Sequence, residues 1–176
     1  MTEIDVRRLS EDDWQDYRAV RLDALRESPD AFVATHAEES ALDEAHWRDR
    51  LRRSVRLVAS VEAKDIGVVS VGRAGHTGDG FSDADGAVGE LFGLWVHPSL
   101  RGQGVAMQLV NEGAAQARDA GSTHLCYWVG TDNGPAVAFA SGIGFRPTDH
   151  RRPMRGAAHE DEEEIAMILP LGADRG

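Results

Sequence analysis

The sequence predicts an α+β fold built around one mixed β-sheet. Three observations indicate this class: β-branched runs alternate with stretches of helical period, three strand-like segments follow one another mid-chain, and one strand leads through a glycine turn into a helix. With 176 residues and 41% hydrophobic content, the chain can bury one packed core. We therefore expect a single domain over residues 1–172 and a short tail at 173–176.

The first half of the chain predicts a strand, two helices and a hairpin. "IDVRRL" (4–9) is strand-like, and the apolar spacing after Ser10, a typical N-cap residue, predicts a helix that ends before Ser28. "ALDEAHWRDRLRR" (41–53) predicts a second helix. "VRLVASVEAKDIGVVSVGRA" (55–74) predicts two strands joined by a short turn around Ala63 to Asp65.

Residues 75–86, "GHTGDGFSDADG", predict a loop, because glycine and aspartate dominate without any period. Part of this stretch is similar to a calcium-binding loop. In that frame Phe81 and Phe92 stand at the first and twelfth positions, where carboxylates are required. We therefore exclude a calcium site.

The second half predicts a strand, a helix, a strand, a helix and a closing strand or pair of strands. "AVGELFGLWVHP" (87–98) is a strand stopped at Pro98, and apolar residues from Ala106 onward keep helical period up to Gly121. "HLCYWV" (124–129) is strand-like, and "TDNGPAVAFASGIGF" (131–145) contains a short helix that begins near Pro135. A polar loop, "RRPMRGAAHEDEEE" (151–164), leads to the strand "IAMILPL" (165–171).

Charge and composition exclude several classes of protein. The net charge of −11, without a basic block, argues against nonspecific nucleic-acid binding. An acidic surface suits cationic ligands, and the alternative is that it serves solubility alone. No apolar run approaches the roughly 18 residues of a membrane span, and the N-terminus is charged throughout, so we expect a soluble, cytoplasmic protein. Cys126, the single cysteine, is predicted to be buried and inert. Arginine outnumbers lysine 18 to 1, a bias typical of GC-rich bacterial genomes.

The turn "RGQG" (101–104) has the chemistry of an anion site. A helix start leaves backbone N–H groups unpaired and carries roughly half a positive charge. Gly102, Gly104 and Ala106 leave those amides accessible, and Arg101 adds a guanidinium. The Walker pattern lacks its lysine here, and the dinucleotide fingerprint fails at Met107. Tight packing of a strand against a helix is the alternative explanation.

Two sequence blocks resemble one known family. Val96-His97-Pro98, followed by Arg101 to Ala106, matches a motif that reads Arg/Gln-x-x-Gly-x-Gly/Ala after a strand ending in Val-x-Pro. Asn133, Ala136, Phe139 and Gly144-Phe145 are similar to a second block of the same family, the GCN5-related N-acetyltransferases (GNAT). The resemblance covers nearly the whole chain, although it is loose before residue 87. It implies the GNAT fold, with a mixed, mostly antiparallel central sheet flanked by helices in a three-layer α/β/α sandwich.

The resemblance implies acetyl-CoA as co-substrate, without a metal. It places the pyrophosphate on the amides of Gly102 to Ala106 and the pantetheine arm along the central strand, where it pairs like an added strand with backbone near Leu94 and Val96. The cofactor-binding residues implied in this way are Leu94, Trp95, Val96, Arg101, Gly102, Gln103, Gly104, Val105, Ala106, Asn133, Ala136 and Phe139.

Acetyl transfer to an amine requires a base, because an alkylamine with a pKa near 10 is only about 0.1% neutral at pH 7. Our candidate is Glu90, six residues before Val96, where histone-acetylating members of the family place a glutamate. Strand alternation puts it on the side of Phe92, Leu94 and Val96. A solvated strand glutamate without catalytic role stays open, and His97 is the rival base.

The second motif departs from the family at one position. Many members carry a tyrosine directly after its Phe/Leu, and this residue protonates the CoA thiolate, whereas Ala140 stands there in this chain. Three explanations are open: water protonates the thiolate, whose thiol has a pKa near 8.5; Ser141 or Tyr127 substitutes; or the protein binds acetyl-CoA without turnover.

The acceptor is expected between "SPDAFVATHAEES" (28–40), the second helix and the polar loop, which correspond to the substrate walls of the family. The acidic run Glu160 to Glu164 suits a cationic amine, or else is simply a solvated loop. The resemblance thus implies an N-acetyltransferase that acts on a primary amine of a small molecule or protein by direct attack in a ternary complex. An acetyl-CoA-binding sensor is the alternative. Dimers are frequent in the family, which leaves a homodimer open.

Overall fold

The computed structural model describes residues 3–73, 88–153 and 162–172 of the chain. In these residues the elements follow the predicted order, and the closing strand is a pair. The strands are β1 (Ile4–Arg8), β2 (Val55–Val61), β3 (Lys64–Arg73), β4 (Val88–Val96), β5 (His124–Gly130), β6 (Arg146–Pro153) and β7 (Glu163–Pro170). The helices are α1 (Trp14–Glu27), α2 (His36–Ser40), α3 (Glu44–Arg53), α4 (Val105–Asp119) and α5 (Gly134–Ile143).

Two predicted boundaries are corrected by the structure. Residues 3–73 contain three α-helices instead of two, because Thr35 Oγ1 accepts a hydrogen bond from Glu38 N (3.1 Å) and starts the short α2. At the two ends of the predicted polar loop 151–164, residues 151–153 belong to β6 and residues 163–164 belong to β7. The predicted loop 75–86, its excluded calcium site and the tail 173–176 lie outside the described residues.

The seven strands form one mixed sheet in the order β1-β2-β3-β4-β5-β7-β6. The pairs β1–β2, β2–β3, β5–β7 and β6–β7 are antiparallel, and β4–β5 is parallel. This arrangement confirms the predicted α+β class with a mixed, mostly antiparallel sheet.

The described residues divide into two compact units. The first contains the residues up to Val71 together with Gly93–Gly113, and the second contains Gly72–Phe92 and the residues from Ala114 onward. The single-domain interpretation of residues 1–172 stays a prediction.

In the first unit, the helices bury their apolar faces in one aromatic core. Tyr17, Val20 and Ala24 recur at helical spacing on α1 and are at most 2% exposed. From α3, Trp47 is fully buried and packs edge-on against Tyr17 at 5.7 Å between ring centres. The neighbouring His46 keeps 61% of its side chain exposed.

A buried cluster of charged side chains connects α1, α2 and α3. Glu39 on α2 is 4% exposed, and both its oxygens accept hydrogen bonds from Arg21 of α1 (3.1 Å each). Arg50 of α3 adds a third bond at 2.8 Å. Burial by itself raises the pKa of Glu39, but the hydrogen bonds and charges of the two arginines outweigh burial and hold the pKa below its usual value.

The β2–β3 hairpin closes through a two-residue turn at Glu62 and Ala63, slightly ahead of the predicted turn. Their φ angles are +52° and +65°, the left-handed conformation that such a turn requires at both positions. The flanking residues Val61 and Lys64 pair directly.

In the second unit, β5 lies between β4 and β7 and provides the centre of a small core. Val88, Cys126, Trp128 and Ala166 pack together there. Cys126 is fully buried, which confirms the prediction for the single cysteine. Among the described residues, no helix combines the length and the apolar character needed to cross a membrane.

Candidate functional site

The turn ahead of α4 has an open, glycine-dependent backbone. Gly102 and Gly104 take φ angles of +81° and +86°, and a Cβ added at either position would meet no heavy atom of the described residues within 4 Å. Residues 101–104 are exposed, whereas the side chain of Val105 is buried. The helix begins here, since Gln108 N donates to Gly104 O at 3.1 Å. The first N–H groups of α4 therefore face a space that an anion can enter.

Arg101 is held in place by two hydrogen bonds. Its Nε donates to Val96 O (3.1 Å) and its Nη2 to Ser28 Oγ (3.3 Å). The same Ser28 Oγ accepts a bond from Trp95 Nε1 at 3.0 Å. Sequence reasoning missed Ser28, because a serine before a proline at a helix end predicts only a turn.

The backbone of β4 departs from the extended conformation in the middle of the strand. Gly93 has a φ of +64°, and a Cβ built there would lie 3.7 Å from Ser70 Oγ. Strand alternation presupposes extended backbone, so the argument that placed Glu90 on the side of Leu94 and Val96 does not extend across Gly93. A glycine inside a strand-like run was the available signal for this irregularity.

The predicted contacts of the pantetheine arm lie just beyond Gly93. Leu94 is half-buried, while Trp95 and Val96 are 4% and 7% exposed. Their side chains therefore pack inward, and only their backbone groups are suited to pair with an extended ligand.

Glu90 lies opposite Cys126 in the β4–β5 ladder, in the second unit. Paired residues point to the same face of a sheet, so Glu90 shares the face of the buried cluster around Cys126 and Trp128. Glu90 is half-buried, and its Oε1 atom is shielded from solvent.

Tyr127 points to the other face, because it follows Cys126 on the strand. It pairs with Leu91, the last residue of β4 in register with β5, and its ring packs edge-on against Phe145 at 6.0 Å between centres. Burial raises the pKa of the Tyr127 phenol, and the charge of Glu164 raises it further.

The second motif forms the start and core face of α5. Asn133 caps the helix, its Oδ1 accepting from Ala136 N at 3.2 Å. Ala136 and Phe139 are half-buried. Ala140 is 1% exposed and Ser141 is exposed, so the position of the usual tyrosine is closed to solvent in this chain.

The rival base and the acidic run have local partners. His97 is half-buried in the first unit, and its Nδ1 accepts a hydrogen bond from Ser99 N (3.2 Å). At the end of the acidic run, Glu164 pairs with Arg152 at 3.0 Å, whose guanidinium lies 4.2 Å above the ring of Trp128. Residues 160 and 161 of the run lie outside the described residues.

Comparison with known proteins gives a consistent result. The model of the acetyltransferase (GNAT) family matches residues 7–145, most of the chain. A mycothiol acetyltransferase from a Nocardioides species is 28% identical over 148 residues, which is 75% of this chain and 50% of that protein. The chain therefore spans about half the length of this curated relative.

Solved structures share the fold of this chain. They include a GNAT acetyltransferase from Streptococcus pneumoniae (TM-score 0.73, 17% identity, 97% of this chain and 100% of that one). A ribosomal-protein-alanine N-acetyltransferase from Brucella melitensis gives a TM-score of 0.70 at 21% identity, covering 94% and 98%. The acetyltransferase yncA of Salmonella typhimurium, solved with its cofactor acetyl-CoA, gives 0.68 at 18% identity, covering 98% and 96%. Because its family model matches most of the chain, this protein belongs to the GNAT acetyltransferase family.

Proposed function

We propose that this protein is an acetyl-CoA-dependent N-acetyltransferase that transfers the acetyl group to a primary amine of a small molecule or protein by direct attack in a ternary complex. The turn ahead of α4 carries this proposal. Gly102 and Gly104 both need glycine for their φ angles, and the space where a Cβ would point is open. A diphosphate requires this combination of accessible amides and missing side chains. Family membership supports the same activity.

The residues present fit acetyl-CoA, which supplies the acetyl thioester when bound. The amides of residues 102–106 hold the diphosphate, and Arg101 adds charge to them. The backbone of Leu94, Trp95 and Val96 is the proposed partner of the pantetheine arm.

Contacts of the arm with the second motif, at Asn133, Ala136 and Phe139, stay predictions. The side-chain Oδ1 of Asn133 already caps α5 with one of its lone pairs, so the amide nitrogen, with its two N–H donors, is the group best suited to bind a ligand.

Glu90 is the proposed base, which takes a proton from the acceptor ammonium before the neutral nitrogen attacks the thioester carbon and the C–S bond breaks. The Oε1 of Glu90 is shielded from solvent, and a carboxylate is a common general base for this kind of proton transfer. His97 is less suited, since its Nδ1 is engaged by the backbone of Ser99.

Tyr127 is the proposed hydrogen-bond donor to the departing thiolate. Its raised pKa keeps the phenol protonated through neutral pH, so it donates a hydrogen bond rather than a proton. Water then protonates the thiolate, whose thiol has a pKa near 8.5. Ser141, which is exposed, is the second candidate donor.

The acceptor is proposed to be a cationic amine. The net charge of −11 supports this class, whereas Glu164 contributes little because Arg152 neutralises it. The names of the relatives, which concern mycothiol and a ribosomal-protein alanine, keep both small molecules and proteins in the proposal.

The test is release of CoA thiol from acetyl-CoA in the presence of a panel of amines: monoamines, polyamines, amino sugars and peptides that begin with alanine. We expect release that depends on one class of amine. Glu90→Gln should lower kcat by about a hundredfold or more at pH 7 and flatten the rise of rate with pH, because the base is lost. Glu112→Gln, an exposed carboxylate on α4, is the matched control and should change neither.

The thiol-release assay also tests which residue donates a hydrogen bond to the departing thiolate. Tyr127→Phe should lower kcat by about tenfold, the value of one hydrogen bond, while Ser141→Ala should leave it nearly unchanged. The reverse order would assign the donor to Ser141. Saturable binding of acetyl-CoA without thiol release on any amine would instead make the protein a binding module, and absence of binding would contradict both functions.

A further inference from the structure

The hydroxyl of Ser28 is not used where a helix end normally needs it. Its backbone N–H closes α1 by donating to Ala24 O at 2.9 Å. The next turn, Pro29–Ala31, begins at Ser28 but receives no hydrogen bond from its side chain. Backbone groups therefore cap the helix end at this junction, and the Ser28 hydroxyl is available for another role.

The Ser28 hydroxyl hydrogen-bonds to two residues, one on β4 and one at the start of the glycine turn. Ser28 Oγ accepts from Trp95 Nε1 (3.0 Å) and from Arg101 Nη2 (3.3 Å), which uses both lone pairs of the hydroxyl. Trp95 is 4% exposed and belongs to the aromatic core of the first unit. Ser28 thus links the exposed side chain of Arg101 to the buried indole of Trp95 through hydrogen bonds.

We propose that Ser28 is a positioning residue for acetyl-CoA, acting through Arg101. This inference rests on the proposed function. An arginine side chain loses much rotamer freedom when it binds an anion, and that cost falls when the side chain is already ordered. The bonds to Ser28 and to Val96 O occupy two of the five N–H donors of Arg101, so donors are left for a phosphate.

The choice of a serine at this position has an electrostatic reason. A neutral hydroxyl orients the guanidinium and leaves its positive charge available to the diphosphate. A carboxylate at the same place would make an equally good hydrogen bond but would neutralise that charge. Ser28→Asp should therefore weaken binding although it preserves the hydrogen-bond acceptor, which a purely structural role for Ser28 does not predict.

The experiment measures the Kd of acetyl-CoA by calorimetry. We expect Ser28→Ala to raise Kd by about 3- to 10-fold, the effect of having to order one arginine side chain on binding. Ser28→Thr, which keeps the hydroxyl, should stay within about twofold of wild type. Ser10→Ala, ahead of α1 with its hydroxyl donating to the nearby Asp13 Oδ2 (3.0 Å), is the matched control. In turnover, Ser28→Ala should raise KM for acetyl-CoA without changing kcat.

A double-mutant cycle tests the route through Arg101. If Ser28 acts through that side chain, Ser28→Ala combined with Arg101→Ala binds no worse than Arg101→Ala alone. In the protein without ligand, the NMR resonance of the Trp95 indole N–H should shift in Ser28→Ala and stay in place in Ser10→Ala. This measurement reports the hydrogen bond to Ser28 independently of activity.

Two results overturn this inference without touching the proposed function. In the first, wild type binds acetyl-CoA and Ser28→Ala binds it equally well. In the second, the effects of Ser28→Ala and Arg101→Ala on the Kd of acetyl-CoA are additive. Failure of wild type itself to bind acetyl-CoA overturns the proposed function together with the inference, so the two failures are distinguishable.

Discussion

Gly104 has its φ of +86° at the start of α4, and Gly121 has +95° just after the end of the same helix. A Cβ added at either glycine would meet no heavy atom of the described residues within 4 Å. The two positions therefore share a left-handed backbone conformation and open space. They differ in the groups at the helix end: N–H groups beside Gly104 and carbonyl groups beside Gly121.

Alanine substitution at these two glycines separates strain from ligand binding. Gly104→Ala and Gly121→Ala should each lower the free energy of unfolding by about 1 kcal/mol, because both place an L-residue at positive φ. Gly104→Ala should in addition raise the Kd of acetyl-CoA at least about tenfold, since its Cβ stands between the anion and the amides. Urea denaturation and calorimetry measure the two effects. Equal binding by both variants would contradict the proposed diphosphate site.

Glu39 is a residue whose charge has a structural consequence. It bonds Arg21 and Arg50 in a site from which water is excluded, so removal of the carboxylate leaves two arginines without their counterion. Since the pKa of Glu39 is lower in the folded than in the unfolded chain, its ionisation stabilises the fold above about pH 4.5. This contribution disappears as the pH falls through the folded-state pKa.

Glu39→Gln should therefore lower the free energy of unfolding by about 3 kcal/mol at pH 7. The difference from wild type should shrink as the pH falls below about 4.5, because wild type then loses the same charge. Urea denaturation at several pH values measures it, with the exposed Glu112→Gln as the control. A difference that stays constant down to pH 3 would show that the carboxylate does not act through its charge.

At the scale of the element, the β2–β3 hairpin carries strain that its sequence does not relieve. Two-residue turns of this geometry favour Asn-Gly or Asp-Gly, whereas this chain has Glu62-Ala63 at φ angles of +52° and +65°. An L-residue in this region costs about 1 to 2 kcal/mol, which glycine avoids at a smaller cost in chain entropy.

Ala63→Gly should accordingly raise the free energy of unfolding by about 0.5 to 1 kcal/mol. Ala138→Gly makes the same chemical change at an exposed position inside α5 and should lower it by about 1 kcal/mol, because glycine is a poor helix former. Thermal or urea unfolding measures both. If the two substitutions changed stability in the same direction, the strain assigned to the hairpin turn would be wrong.

Elements with a strong period or a clear cap were predictable from sequence, and irregular ones were not. The face of α1 follows from Tyr17, Val20 and Ala24, and the glycine turn follows from its motif. The left-handed conformation at Gly93 was not predicted, although a glycine inside a strand-like run is a local sign of such an irregularity. β6 was missed in part, since its polar residues are stabilised by pairs such as Arg152–Glu164 rather than by apolar burial.

The candidate site shows the same division. Accessible amides at residues 102–104 are a local property, so sequence was enough to predict them. Contacts such as Arg101 to Ser28 join residues 73 positions apart, and only the folded chain reveals them. The face of the sheet to which Glu90 points is likewise revealed only by the folded chain, because it depends on the register of β4 with β5.

At the scale of the whole molecule, net charge is the property most directly tied to the acceptor. A charge of −11 produces a long-range field that attracts cations and that salt screens. The field acts more strongly on a polycation than on a monocation, whatever contacts each makes once bound.

We expect kcat/KM for a polyamine acceptor to fall several-fold between about 10 mM and about 150 mM salt at saturating acetyl-CoA, because the Debye length shortens from about 30 Å to about 8 Å. A monoamine of the same panel is the control and should change little. If kcat/KM for the polyamine did not depend on salt, the net charge would no longer support a cationic acceptor.

Complete burial of Cys126 has a practical consequence for how this protein can be studied. The single thiol of the chain is inaccessible to alkylating and disulfide reagents while the fold is intact. A cysteine introduced at an exposed position such as Met107 would therefore be labelled alone. A fluorophore there would sit on the first turn of α4 and report ligand occupancy at the glycine turn, without any need to know the acceptor.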